Sequence, residues 1–242
     1  MNIFRYGVLS AGLSVAAFTG IALSQQQGTE LNVFAHKMNP HGDSVPAGGT
    51  TALSPITAHG GPVMAGTPNV YLIWYGDWNQ NNGSDTPAGQ ALVNTFLTAL
   101  SGSGYMNTNT TYYASNGGVS GNFTVAGSMV DSYSQTKRLT DSKVQTIVSS
   151  AIASGKLGAA DTNGIYFVLT STDVSESSGF CSRYCGWHTY GTIAGTNIKY
   201  SFVGNANRCL SGCAAQTISP NGNAGVDGMI SVIAHELEEA IS

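Results

Sequence analysis

Residues Asn69–Tyr75 read NVYLIWY, and every side chain after Asn69 is apolar or aromatic. A run this short, with no polar alternation, reads as a strand buried on both faces in the middle of a covered sheet. GIYFVLT (Gly164–Thr170) has the same character, and IKYSFVG (Ile198–Gly204) supplies a third strand. Shorter strands are predicted near TTYYAS and NFTVAG.

Between these strands the apolar period changes from two to nearly four. Thr86 stands as a cap before Pro87, and Leu92, Phe96, Leu97 and Leu100 then share a helical face that stops at Gly102. Thr140 caps a second helix with the face Val144, Ile147, Val148, Ala151 and Ile152, ended by Gly155. A final helix is expected from about Val226, after the turn SPNGNAG, with Asp227 as its cap. Strands alternating with helices predict an α/β fold with a mixed central sheet flanked by helices.

Residues 1–24 read as a signal peptide. Arg5 makes the positive start, Gly7 to Leu23 the apolar stretch, and Ala22 and Ser24 the small residues before cleavage at Gln25. Residues 25–57 form a Gly/Pro/Thr-rich leader, and 58–242 the folded domain. A secreted, extracellular protein follows, with no later apolar run long enough to span a membrane. The net charge of −4 becomes −5 once Arg5 is removed, and charged residues are only 9% of the chain. No basic footprint exists for nucleic acid.

Cys181, Cys185, Cys209 and Cys213 form two Cys-x3-Cys pairs. An even count in an exported chain predicts disulfides that pin loops, with three pairings open. A four-cysteine zinc site, with His188 close by, is the lesser reading.

The last stretch, SVIAHELEEAIS (Ser231–Ser242), places His235, Glu236, Glu238 and Glu239 in five residues of a charge-poor chain. His235 and Glu239 are one helical turn apart and share a face, so both can ligate one Zn2+. Glu236 lies beside them, where a His-Glu metal helix carries its general base. The bland alternative is an amphipathic helix with apolar Ile230, Ile233, Leu237 and Ile241, on which glutamates are ordinary. Three glutamates near the end of a helix oppose its dipole, so the last turn is expected to fray without a cation. The apolar pattern runs to Ser242 with no stop signal, which predicts a domain incomplete at its C-terminus.

Other candidates are weaker. His188, in CGWH, is a ligand, a proton donor or a histidine of an ordered loop. His59, before GGP at the domain's entry, reads as structural or exposed, and His36 and His41 in the leader carry no signal. Trp74, Tyr75 and Trp78 could stack on sugars, although aromatics at a strand end commonly belong to the core. No Gly-x-Ser-x-Gly elbow or phosphate-binding glycine loop is present.

The segments HGGPVMAGTPNVYLIWYGDW, YFVLTSTDV, GFCSRYCGWH, FVGNANRC and NGNAGVDGMISVIAHELEEAIS, in this order, resemble the Exordium / phosphate-induced protein 1 family. The resemblance implies secretion. Plant members are apoplastic or cell-wall-associated and linked to growth and cell expansion, and members with the His-Glu pair continue into an acidic segment that could hold a third ligand.

Two functions are therefore carried forward. One is a zincin-like, zinc-dependent hydrolase acting on extracellular peptide, with His235 and Glu239 as ligands, Glu236 as base and His188 as an auxiliary. The other is a non-enzymatic protein that binds cell-wall polysaccharide or a receptor.

Overall fold

NVYLIWY forms β1 (Asn69–Tyr75), and its side chains are buried on both faces, as the unbroken apolar run demands. The computed structural model describes residues 60–216 and 218–242; the expected signal peptide, the leader and His36, His41 and His59 lie outside the described residues. From β1 the chain enters α1 (Pro87–Leu100), capped by Thr86, whose hydroxyl accepts from Gly89 N. Its buried stripe is Val93, Leu97 and Leu100, with Leu92 and Phe96 at the margin.

Strand β2 (Thr124–Asp131) follows, then α2 (Asp141–Ala153), capped by Thr140 and burying the five apolar residues expected of it. GIYFVLT is β3 (Gly164–Thr170), wholly buried. A hairpin of β4 (Gly186–Ile193) and β5 (Thr196–Gly204) comes next. A single helical turn, α3 (Leu210–Cys213), then leads to α4 (Ala224–Ile241).

The sheet order is β2-β1-β3-β5-β4, with all neighbours parallel except the β5/β4 hairpin. The fold class is thus the expected mixed α/β sheet flanked by helices. Strand β4 was not anticipated. Its sequence, GWHTYGTI, interleaves glycine and polar residues, so the apolar signal is faint, and its Ala194–Gly195 turn places both residues at positive φ. That backbone suits the right-handed twist of a tight hairpin.

Side chains alternate across a strand, so the parity along β4 identifies its two faces. A Cβ on Gly186 would meet Val232 of α4 at 2.5 Å, whereas one on Gly191 would meet Gln145 of α2 at 2.7 Å. The two residues have opposite parity, so α4 and α2 cover opposite faces of the sheet. Among the described residues, no helix is long and apolar enough to cross a membrane.

Trp74, Tyr75 and Trp78 all belong to the core, and the Trp78 indole donates to Leu169 O at 3.3 Å. They offer no sugar platform. Asp227 is not the α4 cap either. Asn223 takes that place, accepting from Val226 N, while Asp227 accepts from Ser219 and Asn221 and ties the preceding turn to the helix.

Candidate functional site

The four cysteines bridge the two pairs rather than closing each one: Cys181 bonds Cys209, and Cys185 bonds Cys213. This removes the four-cysteine zinc reading. It also clamps the start of β4 to α3, and α3 lies directly on α4. A Cβ on Gly228 would meet Cys213 O at 2.6 Å, so only glycine permits this approach. The strand and the final helix are thereby held side by side.

Their register then follows from elementary geometry. Gly186 faces Val232. Two residues further along a strand is about 6.6 Å, and four further along a helix is about 6 Å. The next facing pair is therefore His188 and Glu236. His188 Nδ1 lies 2.9 Å from Glu236 Oε2, and 3.6 Å from Glu239 Oε2. The expected spacing within the helix also holds, with His235 Nε2 3.4 Å from Glu239 Oε1.

The structure thus brings all four candidate residues to one place, with different exposures. The Glu236 side chain is 2% exposed, His188 19%, His235 28% and Glu239 38%. Burial of Glu236 was not legible in the sequence, since its position borders an apolar stripe that the strand partly covers. Among the described residues, the His/Cys/Asp/Glu group whose donor atoms all lie within 4.8 Å of one another is His188, Glu236 and Glu239. The histidines are also the only cation-capable side chains paired with Glu236 and Glu239 among the described residues.

All three glutamates of this helix have partners: Glu236 and Glu239 meet the histidines, and Glu238 turns elsewhere. Glu238 accepts from the Thr108 hydroxyl, and Asn109 Nδ2 donates to Glu238 O at 2.9 Å. Met64 N donates to Ile241 O at 3.1 Å, capping the last turn. The half-exposed Tyr105 joins this end of the helix. Burial first, then its hydrogen bond to Glu238 and the charges of Glu238 and Glu239, push its phenol well above the usual range.

A carboxylate–histidine cluster between an edge strand and a helix can hold a divalent cation or exchange protons. Donors sharing a tetrahedral zinc at 2.0–2.1 Å stand about 3.3 Å apart. The His235–Glu239 distance of 3.4 Å fits that spacing.

A model of the phosphate-induced protein 1 conserved region matches residues 56–242. The protein EXORDIUM-like 5 of Arabidopsis thaliana is 33% identical over 222 residues, covering 80% of this chain and 59% of the relative. EXORDIUM-like 3 of the same plant is 31% identical over 218 residues, covering 79% and 62%. PHOSPHATE-INDUCED 1 of Nicotiana tabacum is 28% identical over 204 residues, covering 71% and 59%. The chain thus spans about three-fifths of the length of these relatives, and no solved structure matches it. The matched region takes in the whole sheet, both disulfides and the His188–Glu236 contact, and the chain belongs to the phosphate-induced protein 1 family.

Proposed function

We propose that this family member is a secreted, zinc-dependent hydrolase of zincin type acting on peptide bonds. His235 and Glu239 are the helix ligands, and Glu236 is the general base. The observation that carries the reading is the contact between buried Glu236 and His188, beside a second carboxylate and a second histidine, in a chain with 9% charged residues. Such a concentration costs desolvation energy and has no structural need that apolar packing would not meet better. The two disulfides support the extracellular location.

Zinc held there would supply Lewis acidity, polarising a substrate carbonyl and acidifying a water molecule. The protein's own part is orientation. Glu236, on the same helix as both ligands, offers a carboxylate oxygen to accept a proton from water. Burial keeps bulk water from competing for the carboxylate. The polysaccharide-binding alternative loses its aromatic platform, because Trp74, Tyr75 and Trp78 are core residues.

The test is metal analysis of the purified chain beside a peptide-library hydrolysis assay. About one zinc per chain is expected. Glu236→Gln should retain the metal and lose at least ~10²-fold in rate. A chain that takes up no zinc, or one whose Glu236→Gln variant hydrolyses peptides normally, would overturn the reading.

A further inference from the structure

The helix supplies two ligands, and zinc in a catalytic site takes three from the protein. We propose that the third is His188, contributed through Nδ1 by edge strand β4, so that the metal site is built across the β4/α4 contact. This inference rests on the helix reading above and adds its missing donor.

The geometry around Glu239 carries it. His235 Nε2 lies 3.4 Å from Oε1 and His188 Nδ1 lies 3.6 Å from Oε2, so the two histidines flank one carboxylate from opposite elements. Each histidine thus lies near the roughly 3.3 Å spacing of donors on a tetrahedral zinc from its own oxygen of Glu239. Among the described residues, the donors that all lie within 4.8 Å of one another are His188, Glu236 and Glu239; His235 joins this group through Glu239. His188 is also positioned independently of the helix. It sits two residues after Gly186, where the Cys185–Cys213 disulfide anchors the strand. A preformed donor on a stapled strand loses little conformational freedom when it binds an ion.

Without metal, the same nitrogen holds Glu236. An ionised carboxylate only accepts, so the Nδ1 must then carry the proton. Ligation through Nδ1 needs its lone pair. The neutral ring therefore changes tautomer: Nδ1 gives its proton to solvent and Nε2 takes one from solvent, so the ring stays neutral and Glu236 stays a carboxylate. Metal uptake therefore releases Glu236 from His188, freeing the general base as the site fills. The exchange has a spectroscopic signature that needs no substrate and no mutation.

Zinc is titrated into the metal-depleted full chain, with binding followed by calorimetry and the histidine ring nitrogens by ¹⁵N NMR. The His188 signal should change from Nδ1-protonated to Nδ1-bound with Nε2 protonated, in step with one equivalent of zinc. His188→Ala should weaken zinc binding by more than about 100-fold, beyond the 10–100-fold typical of an outer-shell partner. Thermal unfolding of the metal-free variant controls for loss of fold. An unchanged His188 spectrum at saturation, or wild-type affinity in His188→Ala, would overturn this inference alone, provided that His235→Ala and Glu239→Ala lose the metal. If those two variants bind zinc normally, or the wild type binds none, the helix reading falls and this inference with it.

Discussion

Glu176 and Glu236 are both nearly sealed from solvent, yet the fold keeps them in opposite ways. Glu176 lies where Ser175–Glu176 pairs with Arg138–Leu139, in the connection from β3 to β4. Tyr184 and Ser178 hydroxyls donate to its Oε2, and Ser178 N donates to both oxygens. Across the same Ser178 hydroxyl stands a second carboxylate, Asp141 Oδ1, at 2.8 Å. One hydroxyl proton cannot serve two anions, so this cluster favours an added proton. Burial foremost, with the Asp141 charge adding to it, raises the Glu176 pKa despite the donors that pull the other way. Glu236 faces a histidine instead. Neutral donors make a fixed structural hub, whereas a histidine shared between two carboxylates makes a contact that can be exchanged for another partner.

The largest expected effect separates the two glutamates by stability. Glu176→Ala takes the carboxylate acceptor from the buried Tyr184 hydroxyl and from Ser178 N, and should lower unfolding free energy by about 3 kcal/mol in denaturant titrations. Glu236→Ala should cost only about 1 kcal/mol, because its partner His188 is partly exposed and can turn to water. Equal losses would break the contrast between hub and site.

Next comes the response to zinc. At a hundredfold excess over Kd, zinc should stabilise the wild type by about 2.7 kcal/mol. Glu176→Gln should keep that increment, and Glu239→Ala should lose it. A zinc response that vanishes in Glu176→Gln would mean the two regions are not independent.

The pH dependence sharpens the comparison further. The folded pKa of Glu176 lies above its ordinary value of 4.5. A raised folded pKa means the folded state holds the proton more tightly, so this contribution is fully present below the unfolded pKa and is lost as pH rises through the folded one. The stability difference between wild type and Glu176→Gln should therefore move against the wild type as pH rises from acid toward neutral. A difference constant with pH would show that folding does not raise the Glu176 pKa, and one moving in favour of the wild type that the fold holds the carboxylate ionised.

The smallest effect concerns Glu238, the half-buried glutamate of the same helix. Thr108→Val removes a surface hydrogen bond to Glu238 and should cost no more than about 0.5–1 kcal/mol. Hydrogen exchange over residues 237–241 should quicken while β1 and β3 stay protected. A cost matching that of Glu176→Ala would show that burial is not what distinguishes these carboxylates.

A third buried carboxylate, Asp85, escaped sequence reasoning altogether. It accepts from Thr172 N, Asn82 Nδ2, Gln80 Nε2 and Asn205 Nδ2, joining the loops that leave β1, β3 and β5. Its donors come from positions up to 120 residues away, and no local spacing announces them. The unbroken runs of β1 and β3 were legible because burial on both faces leaves no room for polar side chains. So were helices α1 and α2, whose caps and stops act within a few residues of themselves. The spacing of His235 and Glu239 was legible too, since a helix determines its own i,i+4 neighbours.

What lay beyond the sequence was everything that needed two elements to meet. The disulfide pairing required the β4 and α3 segments to be side by side, and the four cysteines alone allowed three arrangements. Strand β4 exists because β5 offers it a ladder, not because its glycine-bearing sequence favours extension. His188 reaches Glu236 only because Gly186 and Gly228 let the strand and α3 approach α4 closely enough to bring the two into register. Local periodicity determined which elements this chain forms. The candidate site exists because close packing brought the β4 strand and α4 helix together with matching axial rises.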